Sequence, residues 1–407
     1  MATVVAKPEF VPVEGGVTAA QGFRAAGIHS GIKPSRADLA LIVSDTLASA
    51  AGVFTTNAVK AAPVLISMEA IQSGAAQAIV VNSGNANACT GVQGLANARE
   101  MAALTAQALG IAVEFVLVAS TGVIGVPLPM DALRAGIPRL PAALSRDGAA
   151  AAEAILTTDA FAKTAAVRFP LKGTPVTIGG MAKGAGMIHP QMATTLCFIT
   201  TDATVPAPLL RQALRAAVDS TFNCISVDGD TSTNDTIFLL ANGAAGHVPL
   251  GDGDREFTTF VDALGEVAGE LARMVVRDGE GATKLITVTV RGARSAADAK
   301  RAVNAVMTSP LVKTALYGGE PNWGRILAAV GRSGAAVVPD RTRIAIAGVT
   351  VVEGGTGIAA ALPEAAEGMK AAAYEIVVDL GVGGGSSTGW TCDLNESYVK
   401  INAGYMT

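Results

Sequence analysis

Segments with the period of a β-strand and segments with the period of an α-helix alternate along the whole chain. Residues 285–291 alternate apolar and polar side chains, as a strand with one solvated face does. Apolar residues recur at helical spacing over 260–275, with charged residues between them. Short apolar runs at 78–81 and 115–118 flank a further helical segment over about 93–109. This alternation predicts an α/β chain and disfavours the all-helical and all-β classes.

The length of the chain predicts two packed lobes rather than one continuous core. The 407 residues exceed the size at which a single hydrophobic core usually stops growing. Half of the residues are apolar and 16% are charged, which excludes a disordered chain and leaves ample material for a buried interior. Residues 127–154 are rich in Pro, Ala and Arg and predict short helices and loops rather than a linker, so the sequence leaves the domain boundaries open.

Charge and hydropathy exclude two classes of partner. The net charge is −4, and no block of Lys and Arg is interleaved with aromatic residues, so we expect no nucleic-acid binding. The mean hydropathy of +0.43 is high, but every apolar stretch is interrupted before it reaches about 18 residues. We therefore expect buried subunit interfaces and no membrane. Residues 1–9 place charge and proline where a secretory signal needs an apolar core, which predicts a cytoplasmic protein.

Neither a metal nor a nucleotide cofactor is predicted. The four cysteines lie far apart without a CxxC pair, and the three histidines lie outside any metal-ligand spacing. The acidic cluster that begins at Asp228 lacks the glycine and the final ligand of a calcium loop. The glycine-rich run 381–385 precedes a strand-like segment, whereas a dinucleotide fingerprint requires a helix there.

Several clusters of polar residues and glycine fall between apolar strands. Such junctions usually carry the catalytic groups of a rigid scaffold, although composition alone would make each of them a turn. They cover residues 82–91, 120–125, 183–188, 228–236, 279–284 and 402–407.

Four motifs in this chain are specific to one family. They are KGAGMI at 183–188, MATTL at 192–196, TTDA at 200–203 and GEPNWGR at 319–325. With these motifs, the sequence resembles the glutamate N-acetyltransferase or ornithine acetyltransferase family of arginine biosynthesis from end to end. The resemblance implies two lobes of mixed sheet and helix layers, of the ornithine acetyltransferase or DmpA-like type. It also implies transfer of an acetyl group from N2-acetyl-L-ornithine to L-glutamate.

The resemblance places self-cleavage at the Ala193–Thr194 bond, which divides the chain into an α piece, 1–193, and a β piece, 194–407. Thr194 then becomes the amino-terminal nucleophile, and its own α-amine, with a reference pKa of ~7.7–8.0, is the base that a threonine hydroxyl needs. The chain departs from many relatives in having Thr195 next to it. Since strand side chains alternate between faces, only one of the two hydroxyls can face the site, and we assign Thr194.

Two further segments match the catalytic machinery of the family. Thr121 and Gly122 match an oxyanion hole, in which a hydroxyl and a backbone N–H stabilise the negative oxygen of a tetrahedral intermediate. A glycine allows the backbone to approach a ligand closely. Lys183 matches a substrate-contacting lysine, and its positive charge would favour the neutral, basic form of the Thr194 amine.

The remaining matches concern substrate binding. Glu280 matches a glutamate suited to the cationic end of ornithine. One threonine of the pair at 157–158 matches a substrate contact, and we prefer Thr157 while leaving Thr158 open. Asn402 and Thr407 match a polar clamp formed by the last residues of the chain, although chain ends are usually frayed.

The resemblance implies small-molecule substrates, no cofactor and an α2β2 heterotetramer. It leaves open whether acetyl-CoA is a second acetyl donor. One alternative is an N-terminal-nucleophile amidohydrolase or aminopeptidase, which would transfer the acyl group to water and whose turnover glutamate would not raise. Another is a non-catalytic α/β binding protein, for which an uncut chain would be the indication. Fold analogy alone supports the hydrolase.

Overall fold

The computed structural model describes residues 9–189 and 195–404. Strands and helices alternate through this part of the chain, with short 3₁₀ helices between them. The strands are β1 (Val11–Pro12), β2 (Phe23–Ile28), β3 (Leu39–Phe54), β4 (Ala75–Asn85), β5 (Val116–Val123), β6 (Lys163–Leu171), β7 (Thr174–Lys183), β8 (Leu196–Thr201), β9 (Ile225–Ser226), β10 (Thr236–Ala241), β11 (Leu285–Ala293), β12 (Arg343–Ile346), β13 (Val349–Glu353), β14 (Thr356–Gly357), β15 (Ala373–Asp379) and β16 (Gly385–Cys392). The helices are α1 (Ala62–Ala70), α2 (Gly91–Leu109), α3 (Met130–Gly136), α4 (Ala149–Ala154), α5 (Ala207–Ser220), α6 (Arg255–Arg277), α7 (Ala296–Met307), α8 (Pro310–Gly318), α9 (Trp323–Gly331), α10 (Leu362–Gly368) and α11 (Glu396–Gly404).

The larger sheet has nine strands, and its long strand β3 pairs with three of the others. Its order is β1-β6-β7-β8-β10-β3-β4-β5, with β2 also paired to β3. Residues 39–43 of β3 pair with both β2 and β4, whereas residues 49–54 pair with β10. The register of the β3–β4 pair shifts between Val43 and Ala48. A shift of this kind bends a strand locally, so the two halves of β3 can belong to different layers.

Packing shows that the larger sheet folds over on itself. Along β8, Leu196 and Phe198 pack with residues of β3, β4 and β5 in one buried cluster. Cys197 and Ile199, on the opposite face, pack with α5 and α6 instead. The outer face of β3–β5 is covered by α1, α2 and α3. The first lobe is therefore a four-layer sandwich of helices, two sheet layers and helices, as the alternation of side chains along each strand requires.

The smaller sheet forms the second lobe. Its order is β14-β13-β12-β15-β11-β16-β9, and helices α7 to α10 supply or border its apolar core. Strand β9 lies between α5 and β10 in sequence, so the two lobes share this stretch of chain. The prediction of an α/β chain with two lobes of mixed sheet and helix layers is confirmed. Within 9–189 and 195–404, no helix is both long and apolar enough to cross a membrane.

Candidate active site

One pocket at the ends of several strands brings together most of the residues that the sequence singled out. The six predicted site residues that the structure describes all line it, and they are Thr121, Gly122, Thr157, Lys183, Glu280 and Asn402. The other lining residues are Ala86, Ile124, Thr158, Gly186, Met187, Ser232 and Asn234. Ala193, Thr194 and Thr407 lie outside the described residues. The roles assigned to all of these residues stay predictions.

Lys183 ends β7 and is 3% exposed. Its Nζ donates to the hydroxyl of Thr157 at 2.8 Å and lies 3.4 Å from that of Thr121. Five strand spacings separate β7 from β5 in the sheet order, about 24 Å in a flat sheet. The fold of the sheet therefore creates this contact. Burial lowers the pKa of Lys183, while the carboxylates of Asp159 and Glu280 oppose that shift.

Gly122 occupies a position that only glycine can fill. Its φ is +134°, and a Cβ there would lie 2.3 Å from the carbonyl carbon of Gly84 on the neighbouring strand. The register of β4 and β5 shifts at Gly84 and Asn85, which brings the two backbones together. Thr121, just before it, is buried and directs its hydroxyl toward Lys183. A hydroxyl and an adjacent glycine N–H thus lie at one edge of the pocket.

Asp159, to which the sequence gave no role, organises the loops around Lys183. Its Oδ1 accepts a hydrogen bond from the N–H of Gly184 at 2.7 Å, and its Oδ2 accepts one from the N–H of Thr157 at 2.9 Å. Burial alone would raise the pKa of Asp159, but the ammonium groups of Lys183 and Lys163 outweigh it and hold that pKa below its ordinary value. Asp159 is therefore ionised at neutral pH.

A chain of buried charges connects this carboxylate to α6. The Nζ of Lys163 lies 2.7 Å from Asp159 and 2.6 Å from Asp278, and its side chain is wholly buried. Asp278 follows the last residue of α6 and also accepts from the N–H of Ala160. Burial raises the pKa of Asp278, although the ammonium of Lys163 opposes the shift. The end of α6 is in this way fixed against the pocket.

Glu280 closes the pocket on the side of the second lobe. Its N–H donates to the carbonyl of Ala185 at 2.9 Å, and a Cβ on Gly186 would meet its carboxylate at 2.6 Å. The amide of Asn402, on α11, donates to Glu280 Oε2 at 2.6 Å. The predicted substrate glutamate and one residue of the predicted clamp are therefore in direct contact.

A second acid holds the far end of the loop that follows β7. Asp228 accepts hydrogen bonds from the N–H groups of Met187 and Ile188 at 2.6 and 2.8 Å. The hydroxyl of Tyr398, on α11, donates to the same carboxylate at 3.2 Å. Asp228 therefore links the loop 183–188 to α11 without lining the pocket. The sequence analysis had placed Asp228 in the polar cluster 228–236 and had rejected it as a calcium ligand.

Asn234 and Asp235, which immediately precede β10, hold two different strands. The amide of Asn234 donates to the carbonyl of Ser120 at 2.8 Å and to that of Ala86 at 2.6 Å. The carboxylate of Asp235 accepts the N–H of Thr195 at 3.0 Å. The only sequence signal for these two residues was their place in the polar cluster 228–236, directly before an apolar strand.

The buried charge chain predicts a large effect from removing its cation. Lys163→Met leaves the carboxylates of Asp159 and Asp278 buried without their common partner, which should lower the free energy of unfolding by about 3–5 kcal/mol. The matched control is Lys370→Met, because Lys370 pairs with Glu367 where both side chains are 72% exposed. That change should stay within about 0.5 kcal/mol. Urea denaturation of both variants measures the difference, and equal effects would contradict a structural role for the buried chain.

Comparison with known proteins places the chain in a family. The ArgJ family model matches residues 24–407. The arginine biosynthesis bifunctional protein ArgJ of Symbiobacterium thermophilum is 52% identical over 397 residues, which cover 97% of this chain and 99% of that protein. The protein of the same name from Geobacter sulfurreducens is 51% identical over 393 residues, which cover 95% of this chain and 99% of that one.

The chain is also similar to a solved structure, the crystal structure of arginine biosynthesis bifunctional protein ArgJ from Bacillus halodurans. It is 47% identical, with a TM-score of 0.44, and the match covers 46% of this chain and 99% of that chain. The family model spans nearly the whole sequence, and the two relatives are similar over nearly their full lengths. This chain therefore belongs to the ArgJ family.

Proposed function

We propose that this chain transfers the acetyl group of N2-acetyl-L-ornithine to L-glutamate through an acetyl-Thr194 intermediate. The observation that carries the proposal is the single pocket lined by all six described residues that the family resemblance had selected. Strand β8 begins two residues after Thr194, and its first residue, Leu196, is the register partner of Lys183. The names of the relatives, which place them in arginine biosynthesis, agree with this reaction.

The proposed activation step is self-cleavage at Ala193–Thr194, which gives the pieces 1–193 and 194–407. Cleavage frees the α-amine of Thr194, and this amine takes the proton of the Thr194 hydroxyl as the oxygen attacks the acetyl carbonyl. The hydroxyl of Thr121 and the N–H of Gly122 stabilise the oxyanion that forms. Loss of one such donor typically costs ~2.7–4 kcal/mol of barrier.

Collapse of the tetrahedral intermediate completes the first half-reaction. The bond between the carbonyl carbon and the ornithine nitrogen breaks, the nitrogen takes a proton from the Thr194 ammonium, and ornithine leaves an acetyl ester on Thr194. The amine of glutamate then attacks the same carbonyl and gives a proton to the Thr194 amine, which passes it to the Thr194 oxygen as that oxygen leaves. N-acetylglutamate is released. The protons and bonds balance over the two steps without a cofactor.

The two opposite charges in the pocket suit amino-acid substrates. The ammonium of Lys183 attracts a carboxylate, whereas the carboxylate of Glu280 attracts the side-chain ammonium of ornithine. Thr157 holds Lys183 through a hydrogen bond of 2.8 Å, which supports our choice of Thr157 over Thr158. Asn402 and Thr407 complete the proposed clamp.

Three further parts of the proposal concern donors, assembly and location. Acetyl-CoA is a candidate second acetyl donor, in line with the word bifunctional in the relatives' names. The α2β2 assembly and the cytoplasmic location stay predictions from the sequence.

A hydrolase acting on the same substrate would release acetate at a rate independent of glutamate, so an assay with and without glutamate separates the two activities.

We expect purified protein to consist of two pieces, 1–193 and 194–407, that stay associated after cleavage. Thr194→Ala should abolish the cut because it removes the attacking hydroxyl. Thr195→Val is the matched control, since the buried hydroxyl of Thr195 has no hydrogen-bond partner among the described residues. Denaturing mass spectrometry reads both outcomes. A cut at another bond, or a loss of cleavage in the valine variant alone, would move the nucleophile away from Thr194.

Covalent transfer predicts that N-acetylornithine alone adds one acetyl group to the 194–407 piece. Glutamate should then remove it, and double-reciprocal plots at several glutamate concentrations should be parallel. Thr121→Val should slow the acetylation step by about 10²–10³-fold, because one oxyanion donor is lost. Peptide mass spectrometry and stopped-flow kinetics measure both effects. Intersecting plots without an adduct would favour direct transfer between bound substrates.

Glu280→Gln should impair the use of N-acetylornithine more than the use of glutamate. The glutamine keeps an oxygen for Asn402 but loses the charge that attracts an ammonium, and hydrogen bonds to charged groups contribute ~1.5–3 kcal/mol. A loss of about 1.4 kcal/mol corresponds to about tenfold in an equilibrium constant. Separate rates of acetylation by N-acetylornithine and deacetylation by glutamate measure the difference. Equal losses in both steps would remove Glu280 from recognition of the ornithine side chain.

A further inference from the structure

A buried acid outside the pocket holds the first described residue of the segment that leads into β8. Asp235 is 0% exposed, and its Oδ1 accepts the N–H of Thr195 at 3.0 Å. The N–H of Thr236 donates to the carbonyl of Thr195 at 3.1 Å. Both main-chain groups of Thr195 are therefore held by consecutive residues, 235 and 236. The regular ladder between β8 and β10 begins one residue later, at Leu196 and Thr236.

The acceptor at this point is a side chain, although main-chain carbonyls fill that place in a regular parallel ladder. A regular ladder would offer the main-chain carbonyl of Asn234 to the N–H of Thr195, but that carbonyl accepts the hydroxyl of Thr236 at 2.9 Å. A side-chain acceptor makes the position of Thr195 depend on the identity of residue 235. Any residue can continue a main-chain ladder, but only a short side chain with an oxygen can replace one of its acceptors.

Stability alone does not account for a carboxylate in this place. The second oxygen of Asp235, Oδ2, is buried and receives no hydrogen bond from the described residues. A buried polar atom without a partner is costly, and each one in a native protein calls for an explanation. Burial raises the pKa of Asp235 well above its ordinary value. The N–H of Thr195, the ammonium of Lys183, the hydroxyl of Thr55 and the N–H of Ser232 oppose that rise. Energetic costs of this kind cluster at functional sites.

Asp235 acts at a distance from substrate but next to the proposed nucleophile. It does not line the pocket, so it can affect the reaction only through the residues it holds or through its electrostatic interaction with Lys183. Thr195 is bonded to Thr194, and one residue of chain spans at most ~3.6 Å. The N–H that Asp235 holds belongs to the planar peptide unit that joins Thr194 and Thr195.

We propose that Asp235 is a positioning residue, which fixes the main chain at the nucleophile by accepting the N–H of Thr195. The proposal rests on the function proposed above, with Thr194 as the nucleophile. The adjacent Asn234 holds the carbonyl of Ser120, the residue before Thr121, at 2.8 Å. The consecutive side chains of Asn234 and Asp235 thus hold the residue before Thr121 and the residue after Thr194 to the start of β10. The separation of the two reacting groups is set there.

The test compares two variants of nearly equal size. Asp235→Asn keeps an oxygen that can accept the Thr195 N–H, whereas Asp235→Leu fills the space without an acceptor. The asparagine variant should cleave and should acetylate Thr194 within about threefold of the wild-type rate. The leucine variant should lose about a hundredfold in the acetylation rate, the size of effect expected from a displacement of about 1 Å, with KM for N-acetylornithine changed by less than about threefold. A folded but uncut leucine variant beside a cut asparagine variant gives the same support, because cleavage uses the same hydroxyl.

A buried hydroxyl at the far end of β8 supplies the control for strand stability. Thr200 is wholly buried and donates to the carbonyl of Val17 at 2.7 Å, roughly 17 Å along the strand from Thr195. Thr200→Val should lower thermal stability while keeping the wild-type acetylation rate. Should the leucine variant not fold, Asp235→Ala removes the acceptor without adding bulk and is compared with asparagine in the same way.

Three outcomes would overturn the positioning role. In the first, the variant without an acceptor, Asp235→Leu or Asp235→Ala, acetylates Thr194 as fast as the asparagine variant. In the second, the asparagine variant is as slow as the variant without an acceptor. In the third, Thr200→Val is equally slow. The second outcome would mean that the ionisable carboxyl group is required rather than its acceptor oxygen. Failure of the proposed function is visible separately, because the wild-type protein itself would then form no acetyl-Thr194 adduct.

Discussion

The buried carboxylate of Asp159 is the interaction on which the geometry of the pocket depends. A charge in the protein interior is tolerated only when it is paired and hydrogen-bonded. Asp159 meets that condition with partners from its own stretch of chain and from the loop after β7. The N–H of Thr157 and the ammonium of Lys163 lie in its own stretch, and the N–H of Gly184 follows β7. The pairing of one side chain therefore fixes the loops that present Thr157 and Lys183 to the pocket.

The same pairing extends outward as an alternation of charges. From the end of α6 to the pocket, the order of the charged side chains is Asp278, Lys163, Asp159 and Lys183. Lys163 lies between two carboxylates, and Lys183 lies close to Asp159 and to the hydroxyls of Thr121 and Thr157. Because Asp278 and Glu280 are two residues apart in sequence, the alternation also restricts where Glu280 can lie. A cation and an anion consequently face one small space, which is the arrangement that a substrate with both a carboxylate and an ammonium requires.

Sequence periodicity predicted the α/β class of the fold but not the bend by which the larger sheet folds over on itself. The helix α6 and the strand β11 follow directly from spacings of 3.6 and 2 residues, and both form where those spacings predict them. The bend in β3 between Val43 and Ala48 has no comparable signal, because a register shift depends on the partner strand. Without that bend, Thr121 and Lys183 would lie on distant strands, so only the family resemblance could place them in one site.

The residues that the sequence analysis missed share one physical role, since Asp159, Asp228, Asn234 and Asp235 use side chains to satisfy main-chain groups of other segments. In a sequence, such residues are indistinguishable from the Asp and Asn of ordinary turns, which bond to their own backbone two residues on. The difference lies in long-range contacts. A pocket formed at strand ends needs these residues, because the ladders stop there and leave N–H and C=O groups that must be paired. Pairing them with specific side chains instead of water fixes the loops, and fixed loops can hold reactive groups within the small tolerance that catalysis demands.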